Sequence, residues 1–140
     1  MSRKSDELLI HSNGPLISVV DDDDVVCEAL QELIVSLGYN ATGFLSAEEF
    51  LSSGIVLQTA CLVSDMQMPG MTGLDLQARM FADGHQIPII FVSALIDEKT
   101  RACALERGAF DLLIKPVNPN DFAHCLEQAL AMARRDSRAG

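Results

Sequence analysis

Two alternating hydrophobic periods constrain the fold of this chain more than any other feature of its sequence. Short apolar runs rich in β-branched residues predict five strands, at 16–20, 41–44, 60–64, 87–93 and 112–114. Apolar residues at helical spacing, together with capping residues, predict five helices, at 24–37, 47–53, 73–82, 98–107 and 119–134. Strands that alternate with helices join through right-handed crossovers into parallel sheets. We therefore expect an α/β fold, in which helices cover both faces of a doubly wound, five-stranded parallel sheet.

The segments outside this pattern set the expected limits of the domain. The 140 residues suffice for one hydrophobic core. We expect a flexible leader at 1–14, one domain at 15–134, and a frayed tail or the start of a linker at 135–140. The sequence has neither a secretory signal at its start nor an apolar run long enough to cross a bilayer. These features predict a cytoplasmic protein that does not associate with a membrane.

The charge balance argues against nucleic acid as a direct ligand. The formal net charge is −10, from 10 basic and 20 acidic residues. Such a surface repels the phosphates of DNA and RNA. We therefore expect no direct nucleic-acid binding by this domain.

The cysteines do not have the spacing of a metal site. They form no C-x-x-C pair and have no neighbouring histidine. Each lies in an apolar stretch: Cys27, Cys61, Cys103 and Cys125. We expect reduced, buried thiols that act as small hydrophobic side chains.

Reactive side chains collect at the ends of four predicted strands. Four consecutive aspartates, 21–24, follow strand one, and Asp65 follows strand three. Strand four ends at Ser93, and Lys115 follows strand five. Ligands of open parallel α/β sheets bind outside the carboxyl ends of the strands. We therefore expect these groups to meet at one edge of the sheet.

The run of aspartates predicts a site for a divalent cation. Carboxylates a few ångströms apart raise one another's pKa unless a cation lies between them. Mg²⁺ suits such a site because it binds oxygen ligands and keeps several of its waters. Asp21 and Asp22 directly follow a buried strand and are the candidate ligands from this run. Asp23 and Asp24 are explained equally well as caps of the following helix, which leaves their role open.

Asp65 and two partners have the chemistry of phosphoryl transfer. A carboxylate at the end of an apolar strand can attack phosphorus and form an acyl phosphate. Lys115 would place a positive charge on the phosphoryl oxygens, and Ser93 would donate a hydrogen bond to one of them. Because Lys115 precedes Pro116 at the end of an apolar strand, we expect its side chain to reach toward the sheet edge.

Five segments, in this order along the chain, resemble the receiver domain of bacterial response regulators. They are 19–23 (VVDDD), 65–73 (DMQMPGMTG), 88–94 (PIIFVSA), Gly108-Ala109 and Lys115-Pro116. The likeness extends over roughly residues 15–134. Segments 44–50 and 68–77 are most similar to receivers that precede LuxR-type helix-turn-helix domains, and this sequence contains no such domain.

The resemblance implies a fold and a set of roles. The sheet would have the flavodoxin-like strand order 2-1-3-4-5. Asp65 would accept a phosphoryl group from a histidine kinase or a phosphotransfer protein. Asp22, Asp65 and the backbone carbonyl of Gln67 would ligate Mg²⁺, while Asp21 would act mainly through bound water. Lys115 and Ser93 would bind the phosphoryl oxygens, and Ser93 would move toward the phosphate as a switch.

The resemblance also implies how the signal is used. The domain would be a signalling phosphoacceptor with slow self-dephosphorylation, and not a metabolic enzyme. Phosphorylation would change a protein-interaction surface and could produce a homodimer. The output would be transcriptional regulation through a domain outside this chain.

One departure from the family pattern concerns Leu112, which stands where the family usually has an aromatic residue three positions before the lysine. Gln67 and Leu95 lie at variable positions that influence dephosphorylation.

Two other functions compete with this interpretation. Residues 21–25 satisfy the D-x-D-x-[TV] pattern of haloacid-dehalogenase-type phosphatases, which would make Asp21 the nucleophile. That family also needs a late acidic metal motif, and the last strand here leads to Lys115-Pro116 instead. A receiver-like interaction module that is never phosphorylated would be expected to lack one of the acids or the lysine. This sequence has all of them.

Overall fold

A computed structural model describes the backbone of residues 14–139 and the side chains of residues 14–133. The strands are β1 Leu16–Val20, β2 Asn40–Phe44, β3 Thr59–Ser64, β4 Ile89–Ser93 and β5 Asp111–Ile114. The helices are α1 Asp24–Ser36, α2 Ala47–Ser52, α3 Gly73–Ala82, α4 Glu98–Glu106 and α5 Pro119–Ala139. A short 3-10 helix, Val56–Gln58, precedes β3. Each predicted strand and helix is therefore present. Residues 1–13 of the predicted leader lie outside the described part of the chain.

The five strands form one parallel sheet in the order β2-β1-β3-β4-β5, which confirms the predicted topology. The register aligns the ends of neighbouring strands. Val20 pairs with Phe44 on one side and with Ser64 on the other, while Ser93 pairs with Ile114. The residues that follow these strands therefore emerge at the same edge of the sheet.

The sheet separates two hydrophobic cores, as a doubly wound fold requires. One face packs against α1 and α5, with the buried residues Ile17, Val19, Ile34, Val63, Val92, Phe122 and Leu126. The other face packs against α2, α3 and α4, with the buried residues Val20, Phe50, Leu62, Leu76, Met80, Phe91 and Ala104. Of the four cysteines, Cys103 is only half-buried, contrary to expectation, because it lies on the shallowly packed helix α4.

The element boundaries differ from the prediction by more than one residue at two places. Strand β4 begins at Ile89 and not at residue 87, because Pro88 has no N–H for the ladder and only its carbonyl accepts a bond, from Leu62. Helix α5 continues to Ala139, since residues 131–139 contain neither glycine nor proline and include several alanines and arginines. The predicted domain limits, at 14/15 and 134/135, stay predictions. None of the helices in the described part of the chain is both long and apolar enough to cross a membrane.

Candidate functional site

The sheet's hydrogen bonding extends one residue beyond β1, β3 and β5, and this extension fixes the backbone of three candidate residues. The N–H of Asp21 donates to the Phe44 carbonyl at 3.1 Å, and the N–H of Asp65 donates to the Val20 carbonyl at 2.9 Å. The N–H of Lys115 donates to the Ser93 carbonyl at 2.9 Å. The backbones of Asp21, Asp65 and Lys115 are therefore held by the sheet, which positions a site more rigidly than a free loop would.

Three of the predicted acidic residues lie together at this edge. One carboxylate oxygen from each of Asp21, Asp22 and Asp65 lies within 4.8 Å of the other two. Asp21 is 1% exposed and Asp65 is 8% exposed, whereas Asp22 is open to solvent. Like charges this close repel one another strongly when they are shielded from water. The cluster therefore needs positive charge nearby.

Lys115 supplies one positive charge to this cluster. Its Nζ lies 2.9 Å from Asp21 Oδ2 and 3.3 Å from Asp65 Oδ2, with hydrogen-bond geometry only toward Asp65. Burial lowers the pKa of the Lys115 ammonium, but its contacts with Asp21 and Asp65 outweigh burial, so the pKa is raised. Lys115 therefore stays charged.

Asp21 is the most deeply buried member of the cluster. Burial raises the pKa of its carboxyl group, against the opposing effects of Lys115 and of the Asp23 N–H, which donates to Asp21 Oδ1 at 2.9 Å. Asp21 Oδ2 is buried and accepts no hydrogen bond from any residue in the described part of the chain. Its contact with Lys115 at 2.9 Å is an ion pair without hydrogen-bond geometry. A buried oxygen without a hydrogen bond, in a set of three carboxylates, fits the preference of Mg²⁺ for oxygen ligands and bound water.

Of the two remaining aspartates in the run, Asp23 has a structural role. Asp23 is the N-cap of α1, and its side chain accepts hydrogen bonds from the N–H groups of Val25 and Val26 at 3.0 and 3.3 Å. Asp24 is exposed in the first turn of that helix, where a negative charge favours the helix dipole. The cap explanation therefore holds for Asp23, and neither residue belongs to the carboxylate cluster among the described residues.

Residues 65–73 form a tightly held loop next to the cluster. The N–H of Gln67 donates to Asp65 Oδ1 at 3.3 Å, and the N–H of Gly73 donates to the Met66 carbonyl at 2.9 Å. The Gln67 side chain is exposed. From α2, Glu48 Oε2 accepts a hydrogen bond from the N–H of Met71 at 3.1 Å. The Asp65 carboxylate is thus presented by a loop whose two ends and middle are all fixed.

Sequence reasoning missed two residues that hold this loop. The first is Glu48, which lies 23 positions from its partner Met71, so no local pattern could reveal the contact. The second is Gly73, where an added Cβ would lie 2.5 Å from the carbonyl oxygen of Asp65. The sequence suggested only that a glycine starts the helix, and this contact shows why no side chain fits there.

Ser93 lies at the same edge but does not contact the carboxylates. It is buried at the end of β4, and its hydroxyl makes one long contact, at 3.5 Å, to the Leu95 carbonyl. At that distance the bond is weak, so the hydroxyl is free to find a better acceptor. The roles of Ser93 and of the Gln67 carbonyl therefore stay predictions.

The fold and this edge together define a class of protein: doubly wound α/β domains with clustered carboxylates and a lysine beyond the carboxyl ends of the strands. The family model described as the response regulator receiver domain matches residues 17–127. The chain therefore belongs to the response regulator receiver domain family. This assignment overturns the alternative of a haloacid-dehalogenase-type phosphatase.

Similar proteins have names that agree with this family. The chain is 40% identical over 118 residues to the response regulator protein TmoT of Ectopseudomonas mendocina, covering 84% of this chain and 54% of TmoT. It is 37% identical over 122 residues to the transcriptional regulatory protein TdiR of Thauera aromatica, covering 87% of this chain and 54% of TdiR. The solved structure of the response regulator StyR superposes with a TM-score of 0.83 at 36% identity, covering 90% of this chain and 64% of StyR.

The chain spans about half the length of the curated relatives it matches. As a receiver domain it is a two-component signalling protein and not a classical metabolic enzyme. Receiver domains of response regulators accept phosphoryl groups from histidine kinases and bind Mg²⁺ at an acidic pocket.

Proposed function

We propose that Asp65 is the phosphoacceptor of this domain. The observation that carries the proposal is the Asp65 carboxylate itself, fixed at a strand end between the Lys115 ammonium and two further carboxylates. An Asp65 oxygen forms the new bond to phosphorus, and the P–N bond of a phosphohistidine on the donor breaks. The departing imidazole nitrogen takes up a proton. The product is an acyl phosphate on Asp65.

Asp22, Asp65 and the Gln67 carbonyl would hold Mg²⁺, with Asp21 acting mainly through bound water. Support comes from the clustered carboxylate oxygens and from the buried Asp21 Oδ2, which has no hydrogen bond from any described residue. When bound, the ion neutralises negative charge on the carboxylates and on the incoming phosphoryl group.

Lys115 and Ser93 would bind the phosphoryl oxygens. Lys115 already lies within 3.3 Å of Asp65 Oδ2, so its ammonium can contact an oxygen of a group attached to Asp65. Among the residues that the structure describes, the Ser93 hydroxyl has only its long contact to the Leu95 carbonyl to give up. Exchanging a 3.5 Å bond for one to a charged oxygen is favourable, which supports movement of Ser93 toward the phosphate.

The signal would leave through the surface formed by α4, β5 and α5. Exposed apolar side chains support this choice, because Leu105 is 40% exposed and Ile114 is 51% exposed. Leu112 is a buried residue of β5 and its side chain has no hydroxyl, so the side chain can change rotamer but cannot exchange hydrogen bonds. A second phosphorylated copy of this chain is the proposed occupant of the surface. The phosphodonor would be a sensor histidine kinase or a phosphotransfer protein, and the domain itself would act in the cytoplasm.

The proposed output is transcriptional regulation through a domain outside this chain. Support comes from the name of TdiR, a transcriptional regulatory protein of which this chain covers 54%. The receiver itself would not contact nucleic acid, because its net charge of −10 opposes binding to phosphates.

A labelling experiment tests the phosphoacceptor. Incubation with a small phosphodonor and Mg²⁺ should add one phosphoryl group that is stable in acid and labile in base. Asp65→Asn should abolish the addition, whereas the matched variant Asp21→Asn should only slow it. Labelling that survives Asp65→Asn and disappears in Asp21→Asn would refute the assignment.

An NMR titration with Mg²⁺ should perturb amides at 21–24 and 65–68, and perturbations confined to other residues would refute the metal site.

A further inference from the structure

Helix α4 is attached to the rest of the domain at one buried position. Of its nine residues, only Ala104 is buried. By comparison, α1 has three buried residues and α3 has four. A helix with so little buried surface is held weakly, because burial of apolar surface is the main source of helix attachment in a folded domain. What holds Ala104 therefore decides where α4 can move.

A buried amide on α3 holds this position. Gln77 is 3% exposed, and its Nε2 donates to the Ala104 carbonyl at 3.0 Å. The same carbonyl accepts the N–H of Ala109 at 3.0 Å, while the N–H of Gly108 donates to the Leu105 carbonyl at 3.0 Å. These two backbone bonds close the end of α4 in the manner of a Schellman motif. Gln77 thus ties the last turn of α4, and not its first, to α3.

Packing alone does not explain an amide at this position. Gln77 Oε1 is buried and accepts no hydrogen bond from the part of the chain that the structure describes. A buried oxygen without a partner weakens the fold, and an apolar side chain of similar size would avoid that cost. The bond from Nε2 to Ala104 is therefore the feature that distinguishes glutamine from such a side chain here.

A cavity lies on each side of the hydrogen bond between Gln77 and Ala104. A cavity of about 410 Å³, lined in part by Gln77, separates the end of α3 from α5 and from the connection between α4 and β5. A second cavity, of about 340 Å³, lies between the loop after Asp65 and Thr100 in the first half of α4. Because the first half of α4 faces a cavity and its last turn is bonded to Gln77, rotation about Ala104 meets less resistance than translation of the whole helix.

We propose that Gln77 is a positioning residue that fixes the last turn of α4, so that α4 pivots about Ala104 when Asp65 is phosphorylated. This inference rests on the proposed phosphoacceptor function and adds the fixed point of its output route. Residues 94–101 move relative to the Asp65 loop. Residues 104–109 keep their place.

The test compares Gln77→Met with the control Gln128→Met, which changes an exposed glutamine on α5. Without ligand, amide hydrogen exchange at Gly108 and Ala109 should be roughly fivefold faster in Gln77→Met, as the loss of one hydrogen bond predicts, and unchanged in the control. With Mg²⁺ and beryllofluoride, the wild-type backbone shifts should change at 94–101 and little at 104–109. In Gln77→Met the changes should spread to 104–109.

Several results would overturn the proposal. Unchanged exchange at Gly108 and Ala109 in Gln77→Met would show that the amide does not anchor α4. Wild-type shift changes as large at 104–109 as at 94–101 would exclude a pivot, and this measurement needs no variant. If beryllofluoride changes no shifts in the wild type, the phosphoacceptor function and the pivot that rests on it both fail. The exchange comparison then separately decides whether Gln77 anchors the helix.

Discussion

Replacing Gly73 with alanine should distort the candidate site, because the added methyl group would collide with backbone atoms. Gly73 is the first residue of α3. An added Cβ would lie 2.5 Å from the Asp65 carbonyl oxygen, 2.9 Å from Met66 Cα and 2.9 Å from Phe91 Cε1. The first two are backbone atoms, which cannot turn away as the end of a side chain can. The substitution must therefore shift either the loop that presents Asp65 or the start of α3.

Two effects of opposite sign determine how much Gly73→Ala changes the free energy of unfolding. Alanine is favoured over glycine in a helix interior by about 0.5–1 kcal/mol. Overpacking of a tight site costs about 1–3 kcal/mol. The contacts to Asp65 and Met66 are far inside the optimum of about 3.5–4.0 Å for carbon atoms, so overpacking should dominate. We expect Gly73→Ala to lose roughly 1–2 kcal/mol of unfolding free energy.

Urea denaturation followed by far-ultraviolet circular dichroism measures this loss, since the chain has no tryptophan. The midpoint should fall while the slope stays constant. Gly43→Ala is the matched control in β2, because its Cβ would meet the flexible end of Gln31 and the Cys27 sulfur. It should cost less than Gly73→Ala and leave phosphorylation unchanged. A Gly73→Ala variant that is as stable as the wild type, with unaltered amide shifts at 65–68, would refute the overpacking argument.

Three further outcomes follow from the geometry of the site. Burial raises the pKa of Asp21 above its usual 3.8, so the ionised carboxylate opposes folding at neutral pH. Without divalent cations, Asp21→Asn should be more stable than wild type in urea at neutral pH, and the advantage should vanish as pH falls below 3.8. Lys115→Met should bind Mg²⁺ several-fold more tightly in an NMR titration, because the ammonium at 2.9 and 3.3 Å competes for the same carboxylates, yet it should be phosphorylated more slowly. Leu95 is 80% exposed and cannot hold a water by hydrogen bonding, so Leu95→Glu or Leu95→Lys should change the decay of the acyl phosphate several-fold. Equal decay in both variants and wild type would show that this position does not govern access of water.

Much of the fold could be predicted because the local hydrophobic and capping patterns favour the same strands and helices that the parallel sheet requires. The apolar runs mark each strand. The Ser46 and Thr72 side chains cap α2 and α3 by accepting hydrogen bonds from the N–H groups of Glu49 and Asp75, each three residues later, which is the spacing of a capping box. The boundary errors have local causes, such as the missing N–H of Pro88 at the start of β4. The proximity of Asp21, Asp65 and Lys115 also follows from the sequence, because each residue directly follows a strand of one parallel sheet.

The features that could not be predicted depend on contacts between distant segments. The hydrogen bond from the Met71 N–H to Glu48 joins the loop at 65–73 to α2, and the bond from Gln77 to Ala104 joins α3 to α4. Neither pair has a spacing that a helical or strand period would reveal. The contact of the Ser93 hydroxyl with the Leu95 carbonyl is likewise set by side-chain geometry.

The charge at the sheet edge explains why Lys115 has to serve two purposes. The carboxylates of Asp21, Asp22 and Asp65 with one ammonium carry a formal charge of −3 + 1 = −2. Without a divalent cation, Lys115 is the cation that holds the buried Asp21 and Asp65 together. A divalent cation would balance that −2 and release the ammonium from this task. Under the proposed function, Lys115 would then be free to meet the negative charge that a phosphoryl group adds to Asp65, so a need for the metal would follow from the position of the lysine.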